Sequence, residues 1–138
     1  MARAARGFTL IEVMIAVTLV SILVLLALPA YQNYTLRAKV SEAFTLGAPL
    51  RTRISNLYQE SGSFPADNEA AALDPPADYA GEFVGAVEIL PEGVVRVSFS
   101  DPALAGKTVT FTATASGPSL VWTCSATVPK NVLPPSCR

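Results

Sequence analysis

Glu12, Cys124 and Cys137 are the residues whose types and positions give this chain chemistry to do. Histidine is absent, which removes the usual general base, the usual metal ligand and the near-neutral proton switch. The two cysteines are not spaced C-x-x-C, and without histidine they cannot complete a four-ligand zinc site. Two readings remain for them: a disulfide, which requires an oxidising compartment such as periplasm or cell surface, or a pair of unrelated buried thiols. Glu12 lies at one end of a long apolar block, where an ionised carboxylate is costly and needs a cation.

Catalysis finds little else to work with. No Gly-rich phosphate loop is present, and neither Ser nor Cys has a His to act as base. Asp67/Glu69 and Glu82/Glu88 are acidic pairs in or beside loops, which a solvated surface explains better than acid–base work. No oxygen-rich cluster of EF-hand type is visible. The chain is therefore expected not to be an enzyme, with no catalytic residue, no metal and no cofactor.

The apolar block positions Glu12. Residues 1–7 are short and basic through Arg3 and Arg6, and from Val13 to Tyr31 no residue is charged. As a helix that run spans roughly 28 Å, enough for the hydrocarbon core of a bilayer. Arg3 and Arg6 hold the N-terminus in the cytoplasm, so the rest of the chain faces outward. A secretory signal would be shorter and end at a small-x-small site. A plain anchor leaves Glu12 unexplained. Were the chain cut after Gly7, Phe8 would carry a new α-amine able to neutralise Glu12 of a neighbouring copy.

Gly7-Phe8-Thr9-Leu10-Ile11-Glu12 resembles the cleavage motif of type IV prepilins, and the run from Val13 through Pro29 to Tyr31, with Gln32-Asn33-Tyr34 after it, resembles the same family. The resemblance implies cleavage after Gly7 by a dedicated prepilin peptidase, N-methylation of Phe8, and a role for Glu12 in assembly. It also implies loss of helix from about Ile22 to Pro29 when subunits pack. The stretch from Val121 to Arg138 is similar to the family as well, which implies a Cys124–Cys137 disulfide closing a C-terminal loop. The type IVa-like major pilin is the member it looks like most. The expected partners are further copies of the chain in a helical filament, the inner membrane before assembly, the peptidase and the pilus assembly machinery. The expected location is the inner membrane as precursor, then the cell-surface pilus.

From Tyr34 to about Glu60 apolar Leu36, Val40, Ala43, Phe44, Leu50, Ile54, Leu57 and Tyr58 recur at three- and four-residue steps, the pattern of an amphipathic helix. Bends are expected at Pro29 and Pro49, each proline removing a backbone donor. Pro49 could instead separate two helices. Ser61 to Glu82 reads as irregular loop. Four runs then have strand character: Phe83 to Ile89, Val94 to Ser100, Thr108 to Ala115 and Ser119 to Cys124. Their short connections imply an antiparallel meander, with the second half of the long helix as its cover. The expected fold class is α+β. Its parts are a leader at 1–7, a transmembrane and assembly helix at 8–33 and a periplasmic or extracellular head at 34–138.

Nothing in the total charge suggests a nucleic-acid or polyanion binder. Ten basic residues face eleven acidic ones, and loss of Arg3 and Arg6 with the leader leaves net −3. DNA contact would rest on a local patch, with Lys107, Lys130 and Arg138 the candidates. The function expected is a structural filament subunit serving adhesion, twitching motility or DNA uptake. The alternatives are a minor pilin, a type II secretion pseudopilin, and a membrane-anchored periplasmic binding domain that never polymerises.

Overall fold

The computed structural model describes residues 7–138. Helix α1 runs Leu10–Ser61, followed by strands β1 (Val84–Leu90), β2 (Val94–Phe99), β3 (Thr108–Ser116) and β4 (Ser119–Ala126). The chain divides into two compact units, the second comprising Thr35–Arg138.

In the first unit, the start of α1 presents apolar side chains on every side. Leu10, Ile15, Leu19, Leu23 and Leu26 are all exposed. By length and composition this helix is apolar enough to cross a membrane. Such a surface finds its favourable surroundings in lipid or in other apolar helices. Two of its hydroxyls are satisfied within the helix, since Thr18 Oγ1 donates to the Met14 carbonyl and Ser21 Oγ to the Val17 carbonyl.

In the second unit, Val40, Ala43, Gly47, Leu50 and Ile54 of α1 are buried. Their three- and four-residue spacing makes one stripe, which covers one face of the sheet. The sheet has the order β1-β2-β3-β4 with every pair antiparallel. On β3, Val109, Phe111 and Ala113 are buried while Thr108, Thr110 and Thr112 alternate on the other face. Phe44 meets Phe111 edge to face, with centroids 5.2 Å apart. Gly47 lets the helix down onto the sheet: a Cβ there would lie 3.1 Å from Phe111 Cε2 and 3.4 Å from Val97 Cγ2. Arg51 lies over the Phe111 ring, 4.3 Å from its centroid. Burial pulls its pKa below the usual arginine value, yet the guanidinium stays charged at any physiological pH.

The long helix and four-stranded antiparallel sheet expected from the sequence are both present. Pro49 does not separate two helices, because α1 stays helical through Pro29 and Pro49 and ends at Ser61. The buried stripe continues on either side of Pro49 at Gly47 and Leu50, so tertiary packing holds the segment where proline alone would disfavour it. Strand ends differ from expectation by a residue or two. The largest difference is β4, which runs two residues past Cys124 because Val109 and Thr110 of β3 still pair with Ala126 and Ser125.

The segment after α1 is largely irregular, with one 3-10 turn at Pro76–Tyr79. It is nevertheless anchored. Tyr58 stacks on Phe64 with centroids 4.7 Å apart, and Arg53 Nε donates to the Ala71 carbonyl at 2.8 Å. The C-terminal segment makes 3-10 turns at Lys130–Val132 and Pro135–Cys137 and buries Val128, Val132 and Leu133 in the core.

Candidate functional site

Gly7, Phe8 and Thr9 precede α1 without helix or strand structure. A Cβ at Gly7 would meet nothing within 4 Å, and Phe8 is 83% exposed. The Gly7–Phe8 peptide bond is thus accessible, with a side-chain-free residue on its N-terminal side. Arg3 and Arg6 lie outside the described residues.

The sequence of the next turn explains its geometry. Thr9 opens the helix, its carbonyl accepting from Val13 N at 3.3 Å. Its hydroxyl accepts from Glu12 N at 3.3 Å, and Glu12 Oε2 reaches back to Thr9 N and Thr9 Oγ1, each at 3.5 Å. Thr-x-x-Glu at a helix start is a capping box, in which a hydroxyl and a carboxylate each take one of the helix's orphan N–H donors. The carboxylate also sits where the helix dipole favours a negative charge. These contacts are long, and among the described residues no salt bridge to Glu12 is formed.

At the other end of the chain Cys124 and Cys137 form a disulfide across 13 positions of sequence. It ties the Pro-rich C-terminal segment to β4. Arg37 Nη2 fastens the same segment to α1 through the Asn131 carbonyl at 2.7 Å. Of the cations weighed for nucleic acid, Arg138 donates through Nε to the Leu133 carbonyl at 3.0 Å, closing its own loop. Lys130 opens the first 3-10 turn, and Lys107 precedes β3.

Asp67 accepts from Ala70 N at 2.7 Å, while Glu88 faces Arg96 across the strands at 3.3 Å. Among the described residues no group of His, Cys, Asp or Glu could hold a metal ion.

Three structural residues were not singled out by sequence reasoning. Glu42 accepts Glu82 N at 2.7 Å and Phe83 N at 2.8 Å, capping the chain as it enters β1. Lys39 Nζ donates to Asp101 Oδ2 at 2.6 Å and lies 5.1 Å from the Phe83 ring centroid. That hydrogen bond is the main reason the Asp101 carboxyl is held below the usual carboxylate range. Asn68 is a buried polar residue, 4% exposed. Its only sequence signal is an amide side chain within a loop.

Comparison with known proteins bears on both ends of the chain. The prokaryotic N-terminal methylation motif matches residues 2–28, and the pilin family (bacterial filament) matches residues 36–138. The chain belongs to the pilin family. Among the relatives of this pilin, the fimbrial protein EcpC of Eikenella corrodens is 38% identical over 140 residues, covering 96% of this chain and 90% of that one. The type IV major pilin protein PilE1 of Neisseria gonorrhoeae is 38% identical over 128 residues, covering 89% of this chain and 77% of that one. A fimbrial protein of Neisseria meningitidis is 36% identical over 130 residues. The pilin is a structural subunit of a pilus, and its N-terminal motif is that of chains processed as prepilins.

Proposed function

We propose that this pilin is made as a membrane-anchored prepilin, cut between Gly7 and Phe8, methylated on Phe8 and polymerised as the major subunit of a type IV pilus at the cell surface. On this reading residues 1–7 are the leader, 8–33 the transmembrane and assembly helix, and 34–138 the head. The prepilin peptidase, the inner membrane and the pilus assembly machinery are its partners on the way. Adhesion and twitching motility follow from a surface filament of this kind. Bends in α1 at Pro29 and Pro49, and loss of helix from about Ile22 to Pro29 on packing, belong to the same proposal.

The observation that carries it is the exposed apolar surface at the start of α1 with Glu12 at its entrance. A carboxylate in apolar surroundings costs several kcal/mol unless it meets a cation. Cleavage at Gly7 supplies one on every copy, the α-amine of Phe8. A subunit joining the base of a filament places that amine against Glu12 of the copy added before it, which sets the axial step. A plain membrane anchor gains only a helix cap from Glu12, whereas a polymerising subunit also gains a partner for the Phe8 amine, which favours the polymerising subunit over a non-polymerising binding domain.

Electron microscopy of the sheared surface fraction, with intact-mass spectrometry of its proteins, tests the reading. The bulk of the filament should be this chain without residues 1–7 and with one added methyl. A trace amount would make it a minor pilin or pseudopilin. Absence from every filament, or a mature chain starting at Met1, would overturn the proposal.

A further inference from the structure

β1 is an edge strand, because the sheet order leaves it a partner on one side only. An open edge is a template for pairing with another chain. At three points along β1 this edge is met by groups that do not come from a strand. Gly81 N donates to the Val84 carbonyl at 2.8 Å. Further along, Asn68 Nδ2 donates to the Val87 carbonyl at 3.2 Å, and Asn68 Oδ1 accepts from Ile89 N at 2.7 Å.

The pair of Asn68 contacts has a specific pattern. Val87 and Ile89 flank Glu88. In a parallel ladder, one residue of the added strand donates to the carbonyl just before the residue it faces and accepts from the N–H just after it. The Asn68 side-chain amide reproduces both bonds, since an amide carries the same donor and acceptor as a peptide group. Its own position is fixed from behind. Nδ2 also donates to the Asp74 carbonyl at 3.1 Å, and the Asn68 carbonyl accepts from Leu73 N at 2.9 Å. Burial makes these bonds hard to surrender, because an amide stripped of partners in a dry site is costly.

We propose that the Asn68 side chain acts as a one-residue surrogate strand that seals the β1 edge against strand addition by a second copy of this chain. In a filament, where heads stand at high local concentration, such a seal keeps assembly to the helix-driven route. Residues flanking Asn68 serve to present it: Asp67 accepts from Ala70 N, which tightens the turn that carries the amide inward.

Hydrogen exchange on the full-length wild-type protein and an Asn68→Ala variant, both in detergent micelles, tests this. In wild type the Ile89 amide should exchange as slowly as the amides of β3, despite lying on an edge. In Asn68→Ala, kept dilute enough to hold the wild-type mass, it should exchange at least tenfold faster while β3 stays protected. The detergent-corrected protein mass should then rise with concentration beyond that of wild type. Rapid exchange of Ile89 in wild type would overturn the proposal. So would slow Ile89 exchange in the dilute, unassociated variant, or fast exchange there with no gain in mass on concentration. If Asn68→Ala also loses β3 protection, Asn68→Gln, which keeps both polar groups one methylene out of place, is read by the same criteria.

Discussion

Glu12 Oε2 stands 3.5 Å from both the backbone nitrogen and the hydroxyl of Thr9, closing over the first turn of α1. The carboxylate is therefore oriented by its own chain before it meets any other. Two long hydrogen bonds from neutral donors are weaker than one short bond from a cation. An ammonium arriving from a neighbouring copy can displace them without a large local cost. The same short motif thus starts the helix and offers an anion at its entrance.

The disulfide should carry a measurable share of head stability. Cys124→Ser, Cys137→Ser and the double variant should each lower it by about 2–5 kcal/mol, the usual cost of losing a native bond in a small exported domain. The three values should be similar, because all remove the same bond. Denaturant melts give the values. Two free thiols on alkylation of denatured, unreduced protein, or additive losses, would contradict this account.

Gly47 should be intolerant of a larger side chain. A Cβ there already falls 3.1 Å from Phe111 Cε2, so Gly47→Val forces the helix off β2 and β3. Overpacking of this kind costs about 1–3 kcal/mol. A Gly47→Val protein as stable as wild type would show that the helix is not seated as closely as described.

How much of the structure is legible in the sequence follows from range. β3 was legible because Val109, Phe111 and Ala113 alternate with threonines, a signal confined to one short stretch. The helix was legible because its apolar positions recur every three or four residues. Gly47, two residues before Pro49, occupies the same stripe as Val40, Ala43, Leu50 and Ile54, and its spacing could have placed it there. Asn68 and Glu42 had no comparable signal. The β1 backbone groups that Asn68 serves lie 19 and 21 residues away, and those of Glu42 lie 40 and 41 away. Local periodicity does not reach that far, so a buried amide looked like one more loop residue and a capping carboxylate like a solvated one.

The Lys39–Asp101 pair should give the head a dependence on acid. The hydrogen bond from Lys39, together with the Ala103 N–H and the lysine charge, holds the Asp101 carboxyl below its ordinary value, against the opposing effect of burial. A group with a lower pKa folded than unfolded stabilises the fold above its unfolded pKa, about 3.9 for aspartate. That contribution is lost as pH falls through the folded value. Asp101→Asn should therefore flatten the stability profile below about pH 4 and leave its shape above pH 5 unchanged. Denaturant melts between pH 2 and pH 7, on the order of six points, check this; an unaltered acid limb in Asp101→Asn would contradict it.

The proposed route of assembly rests on the charge of Glu12, and filament formation by Glu12→Gln and Glu12→Ala in strains with no wild-type copy tests that most directly. Glu12→Gln keeps the side chain's length and its acceptor oxygen for Thr9 but cannot pair with the Phe8 amine. Both variants should be exported and folded, with Cys124 and Cys137 bonded, and should yield few or no filaments by electron microscopy. Filaments of normal number and length from either variant would contradict the pairing of Glu12 with the amine that cleavage at Gly7 creates.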